Sequence, residues 1–77
     1  MKPQPIREAR SLLAQIYPDL SPDACIMLTV NNPALLPGGG ADVPLVRHTV
    51  RDDSGRERSL LVGRVTFGRE YVFYREA

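Results

Sequence analysis

Residues 43–76 read VPLVRHTVRDDSGRERSLLVGRVTFGREYVFYRE. Three stretches rich in β-branched and aromatic residues are separated by two glycine-bearing turns, the pattern of consecutive antiparallel strands. Asp52-Asp53-Ser54-Gly55 suits a type I turn with Gly55 in the left-handed slot of a G1 bulge. Gly68-Arg69 puts glycine first in a two-residue loop, which suits a type II′ turn. The stretch therefore predicts a β-meander with strands at about 43–51, 59–67 and 70–75.

The turns set a register that the side chains can be checked against. The first turn places Arg51 opposite Glu57, Thr49 opposite Ser59, His48 opposite Leu60 and Val46 opposite Val62. These are sensible ionic, hydroxyl and apolar cross-strand partners. The second places Val65 opposite Val72 and Gly63 opposite Tyr74, an aromatic ring covering a bare glycine backbone. In this register one face carries Leu45, Leu61, Gly63, Val65, Phe67, Val72 and Tyr74. The other carries Val46, His48, Val50, Leu60, Val62, Arg64, Tyr71 and Phe73. Both faces are substantially apolar, whereas an open antiparallel sheet in a small monomer is expected to be apolar on one side only. The second face must curl on itself, meet a loop or meet another protein.

Upstream, Ile6, Ala9, Leu12, Leu13, Ile16, Tyr17 and Leu20 form one helical stripe. Pro3 and Pro5 stand where a helix start tolerates them, and Tyr17-Pro18 ends the run. A helix is expected over about 5–17. Cys25 to Val30 is a short apolar run closed by Asn31-Asn32-Pro33, read as a buried strand at 25–30, although Ser21-Pro22 could also start a helix. The segment from 31 to 42 holds Gly38, Gly39 and Gly40 between prolines and reads as a long Gly/Pro-rich loop. The expected fold is α+β, in a single domain spanning 1–77. One N-terminal helix packs on a small, mostly antiparallel sheet of about four strands in the order α-β-β-β-β, ending in the meander, with curling toward a barrel as the alternative to an open sheet.

The rest of the composition mainly excludes. At 77 residues there is room for one core. Ten basic against nine acidic residues give a formal charge of +1, so no global field draws the chain to nucleic acid or an anionic membrane. No apolar run approaches the roughly 20 residues of a membrane helix, and no secretory signal pattern is visible. The single cysteine excludes an internal disulfide and fits the cytoplasm.

Candidate chemistry is sparse. His48 could act as a general base near neutral pH, but no second histidine, cysteine or spaced carboxylate is tied to it, so a part-buried strand histidine is the simpler reading. Cys25 lacks a nearby base and reads as a small hydrophobe. Gly38–Gly40 fits neither phosphate-loop pattern, and Asp52-Asp53 lacks calcium-loop spacing. No catalytic residue, metal site, cofactor or small-molecule ligand is expected.

The arginines remain. The meander carries seven of them and five carboxylates. The expected register puts Arg64 beside Tyr71 and Phe73. Together with Arg47 and Arg69 these are the candidate binding residues, for a protein partner through aromatic anchors and arginine contacts or for single-stranded nucleic acid through stacking and phosphate pairing. The arginine- and tyrosine-bearing terminal meander resembles that of the RelE-like ribonuclease toxins. The elements ahead of it come in a different order, so no residue roles carry over. By size and kind alone the chain is similar to phage- and mobile-element-encoded inhibitors, anti-CRISPR proteins among them. The expectation is a non-enzymatic regulator or inhibitor that binds another protein, or itself as a homodimer, through the exposed sheet face and the loop. Single-stranded nucleic-acid binding is the alternative, and a small ribonuclease using His48 with arginines is the third reading.

Overall fold

A computed structural model describes residues 8–30, 34–36 and 42–77. One helix, α1 (Ala9–Ile16), precedes six strands: β1 (Cys25–Leu28), β2 (Ala34–Leu35), β3 (Asp42–Val43), β4 (Val46–Arg51), β5 (Glu57–Thr66) and β6 (Glu70–Glu76). The main sheet has the order β1-β6-β5-β4, and β2 and β3 form a separate two-stranded ribbon. The fold is α+β. The meander β4-β5-β6 is antiparallel throughout, β1 adds parallel to β6, and the sheet does not close into a barrel.

The expected helix spanned 5–17, and 5–7 lie outside the described residues. The stripe works as its spacing predicts. Ala9, Leu12 and Leu13 are buried against Val50, Leu60, Val62, Val72 and Tyr74, with Ile16, Tyr17, Leu20, Ile26 and Leu28 packed around them. Burying Leu12 and Leu13 alone contributes about 1.5–3 kcal/mol each. The helix ends at Tyr17, whose N–H still reaches the Leu13 carbonyl at 2.8 Å, and Pro18 prevents continuation.

The first hairpin has the expected register, with Arg51 opposite Glu57, Thr49 opposite Ser59, His48 opposite Leu60 and Val46 opposite Val62. Gly55 takes φ +85°, the Gly55 N–H donates to the Asp52 carbonyl, and the Asp52 carboxylate accepts from the Ser54 and Arg56 N–H groups. The second hairpin differs. Its loop has three residues, Phe67 to Arg69, with Gly68 in the middle at φ +75° and the Phe67 N–H bonded to the Arg69 carbonyl. Val65 therefore faces Tyr71, and Gly63 faces Phe73. This one-residue slip exchanges the two faces of β6. Val72 and Tyr74 join the helix-covered face, and Tyr71 and Phe73 turn to the other.

The apolar excess on that second face is answered by the segment expected to be a loop together with the start of the strand expected over 43–51. Ala34 of β2 and Val43 of β3 pair and are buried over Phe73, with Met27, Leu36, Leu45, Val65 and Tyr71 around them. The strand expected over 43–51 is thus two, because Pro44 lacks the N–H needed to run through. Gly63 is where the crossing is closest: a Cβ there would stand 2.6 Å from the Pro44 carbonyl oxygen and 2.8 Å from Val43 Cγ1. Glycine serves a close backbone approach at this position, not coverage by the ring of Tyr74.

Candidate functional site

Most arginines are held by structure. The α1–β1 connection, residues 17–24, is clasped by three of them. Arg10 donates to the Ser21 and Ala24 carbonyls at 3.0 and 2.8 Å, and Arg69 donates to the Asp23 carbonyl at 3.0 Å. Arg64 lies 4.3 Å over the Tyr17 ring and bonds both Asp19 (3.0 Å) and Glu70 (3.2 Å). Glu70 in turn accepts from the Ser21 N–H at 3.0 Å. The hydrogen bond from Arg64 holds the Asp19 carboxyl below its ordinary range, and Asp19 in return raises Arg64. Burial raises the Tyr17 hydroxyl, with the Arg64 charge partly opposing it. Arg58 is ringed by Glu8, Asp52 and Glu76. Arg51 pairs with Glu57 and donates to the Gly55 carbonyl.

Arg47, Arg56 and Arg75 have no such partner among the described residues. Arg56 is exposed at the hairpin turn. Arg47 and Arg75 are together: both are Cα partners of Leu61, one from each neighbouring strand. The three side chains share a row on the second face, the arginines two strand spacings or about 10 Å apart. Arg47 is exposed, Arg75 is half-buried, and the Arg75 Nε is buried without a hydrogen-bond partner. Leu61 is half-buried and, among the described residues, belongs to neither apolar cluster, so β2 and β3 pack over Phe73 and not over this row.

The candidate set Arg64, Tyr71, Phe73, Arg47 and Arg69 is accordingly divided. Tyr71 and Phe73 stack, with ring centroids 6.5 Å apart, but Phe73 is only 3% exposed beneath the ribbon. Arg64 is on the opposite face with Tyr17, and Arg69 is in the β5–β6 loop against Asp23. Only Arg47 remains on open sheet surface. Arg75 and Leu61 were not among the candidates. Alternation alone carried the signal for Arg75, since 71, 73 and 75 share a face in any register.

Other features offer less chemistry. His48 meets the Tyr17 ring edge-on at 6.4 Å, on the helix-covered face away from Arg47 and Arg75. Cys25 is a half-buried free thiol. Among the described residues no group of three His, Cys, Asp or Glu could hold a metal, and no helix is long and apolar enough to cross a membrane. A mainly apolar groove of about 370 Å³ lies between β1 and β2, lined by Met27, Leu28, Val30, Ala34, Leu35 and Phe73. No family model matches the sequence, and neither a curated protein nor a solved structure is significantly similar to it.

Proposed function

We propose that the chain is a non-catalytic protein-binding domain, a small regulator or inhibitor, that docks through the part of its second sheet face centred on Leu61. The observation that carries this reading is the Arg47–Leu61–Arg75 row: among the described residues, two arginines without acidic partners flank a half-buried apolar side chain that belongs to neither apolar cluster. An apolar centre with arginines beside it is the composition enriched at protein interfaces. Seven of the arginines in a chain of near-zero net charge lie in the meander, and these two are spare where the other sheet arginines are engaged.

Single-stranded nucleic-acid binding is the weaker reading, because it needs aromatic faces beside the cations. Phe73 is covered, and Tyr71 packs in the ribbon cluster at the far side of it. The ribonuclease reading is weaker still, since His48 and the spare arginines occupy opposite faces.

The test is charge reversal. Binding protein recovered from the native host on the wild-type chain should be lost with Arg47→Glu and with Arg75→Glu, and retained with Arg56→Glu. Equal recovery on all of them overturns the assignment of the face.

A further inference from the structure

We propose that the outer edge of β4 receives an extended segment of alternating acidic and apolar residues, which adds to the main sheet as its next strand. The inference rests on the docking reading above and gives the form and chemistry of the partner.

The edge geometry follows from two hydrogen bonds. The Gln15 carboxamide takes both main-chain groups of Arg51, donating from Nε2 to its carbonyl at 2.7 Å and accepting from its N–H at 3.1 Å. Arg51 therefore points its backbone away from β5. One residue on, the Asp52 N–H bonds inward to the Arg56 carbonyl. In an antiparallel ladder successive residues alternate between bonding inward and pointing outward. Thr49 and Arg47, two and four residues before Arg51, thus turn their N–H and C=O groups to the same outer edge. Among the described residues only Gln15 hydrogen-bonds that edge, and it closes the edge at Arg51 alone. The open stretch is the part that adjoins the spare arginine row.

The side chains bordering it state what would fit. On the second face Arg47 stands at the edge, with Arg75 on the same row two strands in. On the first face Val46 is 58% exposed and His48 is half-buried. A strand laid along β4 puts alternate side chains on the two faces. Its residue beside Arg47 is best acidic, and its residue beside Val46 is best apolar. Strand addition of this kind takes affinity from main-chain hydrogen bonds and specificity from alternate side chains. A second copy of β4 is the poorer occupant, because β4 holds two arginines and a histidine with no carboxylate and would face like charge.

The test uses the full chain, isotope-labelled, titrated with a short blocked peptide of alternating valine and glutamate, with the valine–lysine peptide as control. The expected result is binding of the glutamate peptide at least about tenfold tighter than its control, with slowed hydrogen exchange at the Arg47 and Thr49 amides. Thr49→Pro removes an outward N–H without a β4–β5 bond and should abolish that binding. Arg47→Glu should reverse the preference to the lysine peptide, which keeps the test valid if the proline variant unfolds. No binding, or protection that falls elsewhere than β4, overturns strand addition. So does concentration-dependent pairing of the chain through β4 without peptide. If charge reversal at Arg47 and Arg75 still abolishes capture of the host partner while Thr49→Pro does not, strand addition fails and the docking face stands.

Discussion

Gln15 pairs with Arg51 as a neighbouring strand would: its side-chain amide satisfies both the carbonyl (2.7 Å) and the N–H (3.1 Å) of Arg51 at the outer edge of β4. The contact joins the last turn of α1 to the sheet edge across 36 residues of sequence. It also ends the region where another strand can be accepted, which is how exposed edges are commonly limited.

Replacing Gln15 by alanine removes both bonds from an exposed site. The expected loss is about 1 kcal/mol in chemical denaturation, since each exposed hydrogen bond has a modest net value. The Arg51 amide should exchange faster, with amides on β6 unchanged. Uniform acceleration across the sheet would mean that the contact supports the whole fold and not the edge.

The two informative glycines should fail differently. Gly55→Val is strained at φ +85° and should cost about 1–3 kcal/mol, whereas Gly55→Asn, which tolerates that region, should cost much less. At Gly63 φ is ordinary, and the obstacle is the Pro44 carbonyl 2.6 Å from the added Cβ. Gly63→Ala should displace the β2–β3 ribbon, with a loss of about 1–3 kcal/mol and a change in the tertiary signal of Phe73. A stable Gly63→Ala variant with unaltered Phe73 would contradict the close crossing.

Leu13→Ala should lose about 2–5 kcal/mol as a large-to-small change in a fully buried position. Arg10 is exposed on α1, the kind of position where substitution is ordinarily close to neutral. The structure assigns it two main-chain carbonyls at the far end of the 17–24 connection. Arg10→Ala should therefore cost about 1 kcal/mol, and Arg10→Lys should restore only part of it, because one ammonium does not reproduce the guanidinium fork. Denaturation midpoints of the three variants check the order.

The Asp19–Arg64 contact gives a pH dependence with a definite sign. The hydrogen bond from Arg64 and its charge lower the Asp19 carboxyl below its ordinary 3.8. A lowered folded-state value stabilises the fold above the unfolded value and loses that stabilisation as pH falls through the folded one. Wild type and Asp19→Asn should thus differ in denaturation midpoint above about pH 4 and converge in more acidic solution. The difference should shrink in high salt, because the carboxylate is exposed. A difference that persists at the acid end would exclude the ion pair as its source.

The sequence made the architecture legible where local chemistry decides it. The stripe from Ala9 to Leu20, the Asp52–Gly55 turn and the first-hairpin register follow from spacing and turn residues alone. The second hairpin was not decided locally. Gly68 is compatible with a two-residue or a three-residue loop, both registers leave two apolar faces, and the choice between them rests on packing. That single residue of slip separated Arg64 from Tyr71 and Phe73 and so broke up the expected cluster. The apolar excess itself was readable, with a loop among the covers it allowed, but which residues of that loop would do so was not. Ala34 comes from a segment too rich in proline and glycine to signal a strand, Val43 reads as the start of the strand at 43–51, and the two pair over Phe73. Leu61 and Arg75 were hidden because nothing in their spacing distinguishes a spare arginine from one held by a distant carboxylate.

The central claim is that partners dock on the Arg47–Leu61–Arg75 row. A photoreactive amino acid placed at Leu61, and in a second protein at Leu35 on the rim of the β1–β2 groove, tests it most directly in extract of the native host. The account predicts a discrete crosslink from position 61 that unlabelled wild-type chain competes away and the Arg75→Glu chain does not, with none from position 35. A competed crosslink from position 35 and none from position 61 would contradict it and move the docking surface to the groove.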